Sequence, residues 1–247
     1  MPTINALITG ANKGIGLEIA RQLGKRGYTV WLGSRDKGRG EEAANGLRQE
    51  GIDARCLLLD VVDAQSIKSA VDRLENEIDA LDALVNNAGI NFGRPPVPSL
   101  ESVDEIRGIF DVDVFGAVRV TQAFLPLLRR SSAARIVMMS SGLGSIASTL
   151  DLTSENWGIG SAGYCASKPA LNMFTVKLAK ELAEEGIKVN AADPGLTATD
   201  LNGHMGNRKP EDAAPIAVRL ATLDRFGPTG GFFLNDNADT CPPKHRW

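Results

Sequence analysis

From its first residues to about residue 191 the chain alternates short apolar runs with amphipathic stretches, and this alternation limits the fold more than any other feature. Residues 4–9 form an apolar run that stops at Gly10, the pattern of a strand buried on both faces. Ile15, Ile19, Ala20 and Leu23 then recur at helical spacing, and Gly24 and Gly27 mark the exit. The unit repeats. Further strands are predicted over 28–33, 54–59, 83–85, 135–139, 187–191 and 230–234. Helices are predicted over 37–50, 67–78, 104–130 and 164–184. Pro126 is expected to kink or end the third of these. Pro169 should cost the fourth about 3 kcal/mol unless the helix opens locally. A crossover helix returns each strand parallel to the last, and right-handed crossovers place helices on both faces. The expectation is an α/β fold with a doubly wound, mostly parallel sheet. The 247 residues, 43% of them hydrophobic, suit one domain spanning 1–247. Its ligand crevice should lie beyond the carboxyl ends of the strands. The segments 90–103, 141–162 and 196–215 show no clean period and read as loops, with room for short helices, that would shape a substrate pocket.

Composition removes several classes of function. A net charge of −3 with scattered basic residues offers no face for nucleic acid. No run of about 18 apolar residues occurs, so no membrane span is expected. The N-terminus has no basic region ahead of its apolar stretch, so no secretory signal is expected. Cys56, Cys165 and Cys241 are far apart and show no metal-ligand spacing, which suits a reducing cytoplasm. His204 and His245 read as loop and tail side chains, and no metal site is expected.

Between the first strand and helix lies Thr9-Gly10-Ala11-Asn12-Lys13-Gly14-Ile15-Gly16. Glycines admit positive φ and let a diphosphate approach the backbone, while the helix behind them offers free N–H groups. Four further motifs follow in order: Asn86-Asn87-Ala88-Gly89 after the fourth strand, Ser141 after the fifth, Tyr164-Cys165-Ala166-Ser167-Lys168, and Pro194-Gly195 with Thr199 after the sixth. In kind and order these resemble the short-chain dehydrogenase/reductase family, with its Rossmann-type fold. Within it the chain is most similar to single-domain carbonyl reductases.

The resemblance implies NADP(H) as cofactor, held by Gly10, Asn12, Lys13, Gly14, Ile15, Gly16, Arg35, Asp60, Val61, Asn87, Ala88, Gly89, Tyr164, Lys168, Pro194, Gly195, Thr197 and Thr199. The second strand runs into Arg35, and Lys13 adds a cation; both favour a 2′-phosphate, unless Asp36 neutralises Arg35. Asp60 is either the family's adenine contact or a helix N-cap. Ser141, Tyr164 and Lys168 would form the catalytic group: Tyr164 the proton donor, Ser141 the hydrogen-bond donor to the carbonyl, Lys168 the charge that lowers the Tyr pKa. Strand alternation turns Ser140 away. Asp113 stands with this group where the family usually has Asn; it is expected to support the proton relay, to raise Lys168 and to shift the pH optimum. Between Ser141 and Tyr164 the chain is longer than most members, chiefly over 151–160, as in some monomeric carbonyl reductases. A monomer or homodimer is therefore expected. The 239–247 tail is richer in cations and proline than the family leads one to expect. The function implied is NADPH-dependent reduction of a ketone or aldehyde. The alternative is a non-catalytic NADPH-sensing regulator on the same fold, against which the complete Ser–Tyr–Lys set argues. Trp157, Ile159, Leu196, Met205, Leu143 and Ile146 are candidate apolar substrate contacts.

Overall fold

The computed structural model describes residues 3–91, 97–153 and 157–235. Its strands are β1 (Ile4–Thr9), β2 (Tyr28–Ser34), β3 (Ala54–Leu58), β4 (Ala83–Asn86), β5 (Arg135–Met139), β6 (Lys188–Asp193) and β7 (Phe232–Leu234). Its helices are α1 (Gly14–Gly24), α2 (Lys37–Gln49), α3 (Ala64–Glu77), α4 (Val103–Phe110), α5 (Ala117–Arg129), α6 (Ile146–Leu150), α7 (Ala162–Glu181), α8 (Pro210–Ala213) and α9 (Pro215–Ala221). All seven strands join one parallel sheet in the order β3-β2-β1-β4-β5-β6-β7. The doubly wound architecture is the expected one.

Strand order reverses at β1. Thr9 lies opposite Gly33 of β2, while Ile8 lies opposite Val85 of β4. The connections out of β1 and β4 leave to opposite faces, so a crevice opens beyond Thr9 and Asn86. Alternation along β1 divides the core. Ala6 and Ile8 pack with Ile19 and Leu23 of α1, Leu47 of α2 and Ile216 of α9. Leu7 packs on the other face with Trp31, Leu74 of α3, Phe124 of α5 and Leu171 of α7. Burial on both faces explains why these strands read as continuous apolar runs.

Three expectations are corrected. The stretch 104–130 is not one α-helix: α4 ends at Phe110, Asp111–Gly116 form a π-helical turn, and α5 follows. The wider turn brings both Asp113 and Gly116 inward. A Cβ on Gly116 would lie 2.8 Å from Cγ2 of Val61, so the approach depends on glycine. Pro126 does not end α5, which runs on to Arg129 with the single N–H of residue 126 missing from its ladder. Helix α9 stands where no helix is expected. Pro169 lies inside α7, which continues to Glu181. The tail with Cys241, His245 and Trp247 is outside the described residues.

Candidate active site

β1 delivers its chain into a loop with Gly10 at φ 63° and Gly14 at φ 59°, a region that disfavours any Cβ. Thr9 binds this loop to the end of β4. Its Oγ1 accepts the N–H groups of Asn87 and Ala88, each at 2.9 Å. Asn87 Nδ2 donates in return to the carbonyls of Thr9 (2.9 Å) and Gly10 (3.3 Å). Gly16 closes the arrangement: a Cβ there would lie 2.5 Å from Asn87 Nδ2 and 2.7 Å from the Gly10 carbonyl. α1 starts behind the loop with Lys13 at the N-cap position and no side chain capping it. Its first N–H groups therefore stay available to an anion, with the helix dipole adding positive potential. A diphosphate fits this cradle.

Beyond β2, Arg35 is exposed and makes no ion pair among the described residues. Asp36 does not neutralise it. That carboxylate caps α2, accepting the Arg39 N–H at 3.0 Å, and lies 3.5 Å from the Arg39 guanidinium. Lys13 behaves differently, since it pairs with Asp200 across the crevice. Asp200 also lies 2.8 Å from His204 Nε2, and Lys13 foremost, then His204, holds its carboxyl below the usual range. Asp60 is not a helix cap: α3 is capped by Asp63, and Asp60 Oδ1 accepts the Val62 N–H at 3.1 Å. After β6, Gly195 takes φ 74° and Thr197 is buried, its hydroxyl donating to the Gly195 carbonyl at 3.0 Å. Thr199 reaches back until its methyl lies 3.6 Å from where a Gly14 Cβ would be.

The predicted catalytic residues lie on three elements that converge. α7 carries Tyr164 and Lys168 one turn apart. The Lys168 ammonium sits 3.0 Å from Asp113 Oδ2, 3.3 Å from the Met139 carbonyl at the end of β5, and 4.8 Å from the Tyr164 ring centre. Asp113 Oδ1 accepts the Ile90 N–H at 2.8 Å. Two residues beyond Met139, Ser141 is extended and its Oγ accepts the Leu143 N–H at 3.2 Å. Ser140 points into the protein.

Burial alone would lower Lys168, but the Asp113 carboxylate, with Tyr164 behind it, outweighs burial and raises it. For Tyr164 the expectation is only half met. Lys168 does pull the phenol down, yet burial, with Asp113 and Asp193 adding to it, pushes it above its ordinary value. Taken as a whole, the residue is half-buried.

Two residues near this group are not evident from motifs. Asn172 is buried, and neither of its amide atoms has a partner among the described residues. It follows Tyr164 and Lys168 at a spacing of four on α7, a polar stripe that could have marked it. Asp193 ends β6 and accepts the Gly195 N–H at 2.9 Å. Of the proposed apolar contacts, Ile146, Trp157 and Met205 are exposed, while Leu143, Ile159 and Leu196 are partly buried. Leu150 and Leu152 add two more exposed side chains to the Ser141–Tyr164 segment, at 70% and 72%.

The model of the short chain dehydrogenase family matches residues 5–210. The chain belongs to that family of oxidoreductases. (+)-Neomenthol dehydrogenase of Arabidopsis thaliana is 34% identical, over 92% of this chain and 95% of its own. The structure of salutaridine reductase from Papaver somniferum matches with TM-score 0.79 and 28% identity, over 93% of this chain and 99% of that one. A short chain dehydrogenase of Escherichia coli CFT073 complexed with NADPH matches at 0.81 and 26%, over 96% and 98%. Among the described residues no helix is long and apolar enough to cross a membrane, and no cluster of metal-ligating side chains occurs.

Proposed function

We propose that this protein is an NADP(H)-dependent carbonyl reductase that converts a ketone or aldehyde to an alcohol. The observation that carries the reading is the buried Lys168–Asp113 pair with the half-buried Tyr164 over it, beside the end of β5 and at the crevice the uncapped α1 opens onto. When bound, NADPH supplies the hydride. Gly10, Asn12, Gly14, Ile15 and Gly16 would receive its diphosphate, Asp60 and Val61 its adenine, Asn87, Ala88, Gly89, Pro194, Gly195, Thr197 and Thr199 its nicotinamide end, and Lys168 would bind its ribose hydroxyls.

Tyr164 passes its proton to the carbonyl oxygen as the carbon is reduced. Ser141 donates a hydrogen bond to that oxygen and fixes its position. For alcohol oxidation the phenolate of Tyr164 takes the proton back. The exposed Ile146, Leu150, Leu152, Trp157 and Met205 favour a bulky apolar carbonyl compound. The test is NADPH oxidation against a panel of cyclic ketones, aldehydes and quinones, with NADH alongside. Turnover preferring NADPH supports the reading. Tight NADPH binding without turnover across the panel rejects it in favour of a sensor.

Arg35 should carry the preference for the 2′-phosphate. Arg35→Ser is expected to lower kcat/KM with NADPH by about 10–100-fold, the worth of a charge-assisted hydrogen bond, and to leave NADH unchanged. Lys13 can join it only by leaving Asp200. Asp200→Asn should therefore tighten NADPH binding by about 2–5-fold, the scale of an exposed ion pair, without affecting NADH. Equal changes for the two cofactors would remove Lys13 from the phosphate site.

A further inference from the structure

Lys168 meets a carboxylate where the family resemblance leads one to expect an amide. An amide would leave the ammonium its full charge. A carboxylate 3.0 Å away, with the two side chains only 5% and 0% exposed, offsets most of it. The contact is built into the backbone. The π-helical turn at Asp111–Gly116 brings Asp113 inward, and the Ile90 N–H fixes Oδ1, leaving Oδ2 to face the ammonium with no other donor in reach among the described residues.

The groups around the phenol can be named element by element. Lys168 on α7 favours the phenolate; Asp113 on the π turn, Asp193 on β6 and Cys165 on α7 oppose it. With Lys168, the one nearby cation among the described residues, paired off, Tyr164 has little to draw its proton away. The Met139 carbonyl occupies a second face of the ammonium.

Resting on the carbonyl-reductase reading, we propose that Asp113 is a positioning residue: it pairs off the Lys168 ammonium and thereby keeps Tyr164 in its proton-donating form. The pH range of carbonyl reduction then extends upward. Alcohol oxidation, which needs the phenolate, starts at higher pH. Asp113→Asn restores the full positive charge beside the phenol and moves both limbs to lower pH.

The chain has two tyrosines, so Tyr28→Phe leaves Tyr164 as sole reporter. In that background, without cofactor, the 13C resonance of Tyr Cζ is followed against pH with Asp113 intact and with Asp113→Asn. The expected result is a Tyr164 midpoint lower by about one to three pH units in the Asn variant. An unchanged or higher midpoint overturns the proposal. A second reading uses the unaltered protein and survives any folding failure of the variant. There the Lys168 Cε resonance should keep its ammonium position past pH 10.5, the ordinary lysine value. Loss of the proton below that value overturns the pairing. Both readouts report ionisation, not turnover. A shifted midpoint in a protein that reduces none of the panel would therefore sink the reductase reading and leave the role of Asp113 in place.

Discussion

Tyr164→Phe should reduce hydride transfer by about 10²–10⁴-fold while the protein stays folded and keeps its affinity for NADPH. The substitution deletes one oxygen. The ring that covers the Lys168 ammonium at 4.8 Å remains, and so does the Tyr164 carbonyl that accepts the Ser167 hydroxyl at 2.8 Å. The phenol's hydrogen-bond partner in the fold is Lys168, whose ammonium keeps Asp113 and the Met139 carbonyl when the hydroxyl is gone, so stability should change little. Single-turnover rates measure the chemical step, and quenching of protein fluorescence by NADPH measures binding. Retention of more than about a tenth of the rate would show that another group supplies the proton. Ser141→Ala serves as a comparison. Losing one hydrogen-bond donor should cost about 10²-fold, because the proton donor is still in place.

Lys168→Met should destabilise the fold by about 3–5 kcal/mol, because it leaves the Asp113 carboxylate buried without its counter-charge. Adding Asp113→Asn should recover most of that loss, since a neutral amide can be buried at far smaller cost. The pair is therefore strongly non-additive, and denaturant unfolding of the two single variants and the double variant measures the coupling. Simple additivity would mean that the ion pair contributes nothing to folding. The pH dependence has a definite sign. Lys168 is raised in the folded state, so its contribution is complete below the unfolded value of 10.5 and is lost as pH climbs through the higher folded value. Wild type should show that alkaline loss, and the double variant should not.

The strands and the two motif-bearing loops were legible because each obeys a local rule. β1 and β5 form over the residues their apolar runs indicate, and β4 is extended only by Asn86. Helix α9 escaped for the opposite reason. Ile216, Ala217, Val218, Leu220 and Ala221 are all buried, so no polar face alternates with the apolar one to reveal a period. The π turn has no signature in residue type, and a Val-Asp-Val-Phe sequence fits an ordinary helix equally well. In the site, Ser141, Tyr164 and Lys168 could be read from their order along the chain. The Lys13–Asp200 pair could not, because it joins residues 187 positions apart. Nor could the balance at Tyr164, which depends on depth of burial as much as on the neighbouring cation.

The turn at Asp111–Gly116 also separates two packing problems. α4 packs against α7, whereas α5 packs against α3 and β4. Each residue of an α-helix advances the azimuth by about 100°, so a continuous helix would tie the orientation of one end rigidly to the other. The wide turn acts as a phase shifter. Sequence drift that rotates the face of α4 toward α7 can be absorbed there without turning Phe124 and Leu128 out of the core. A single-residue deletion within 111–116 should consequently be worse than most point substitutions in it. It would swing the whole of α5 by roughly a quarter turn and carry the buried face of that helix away from the sheet.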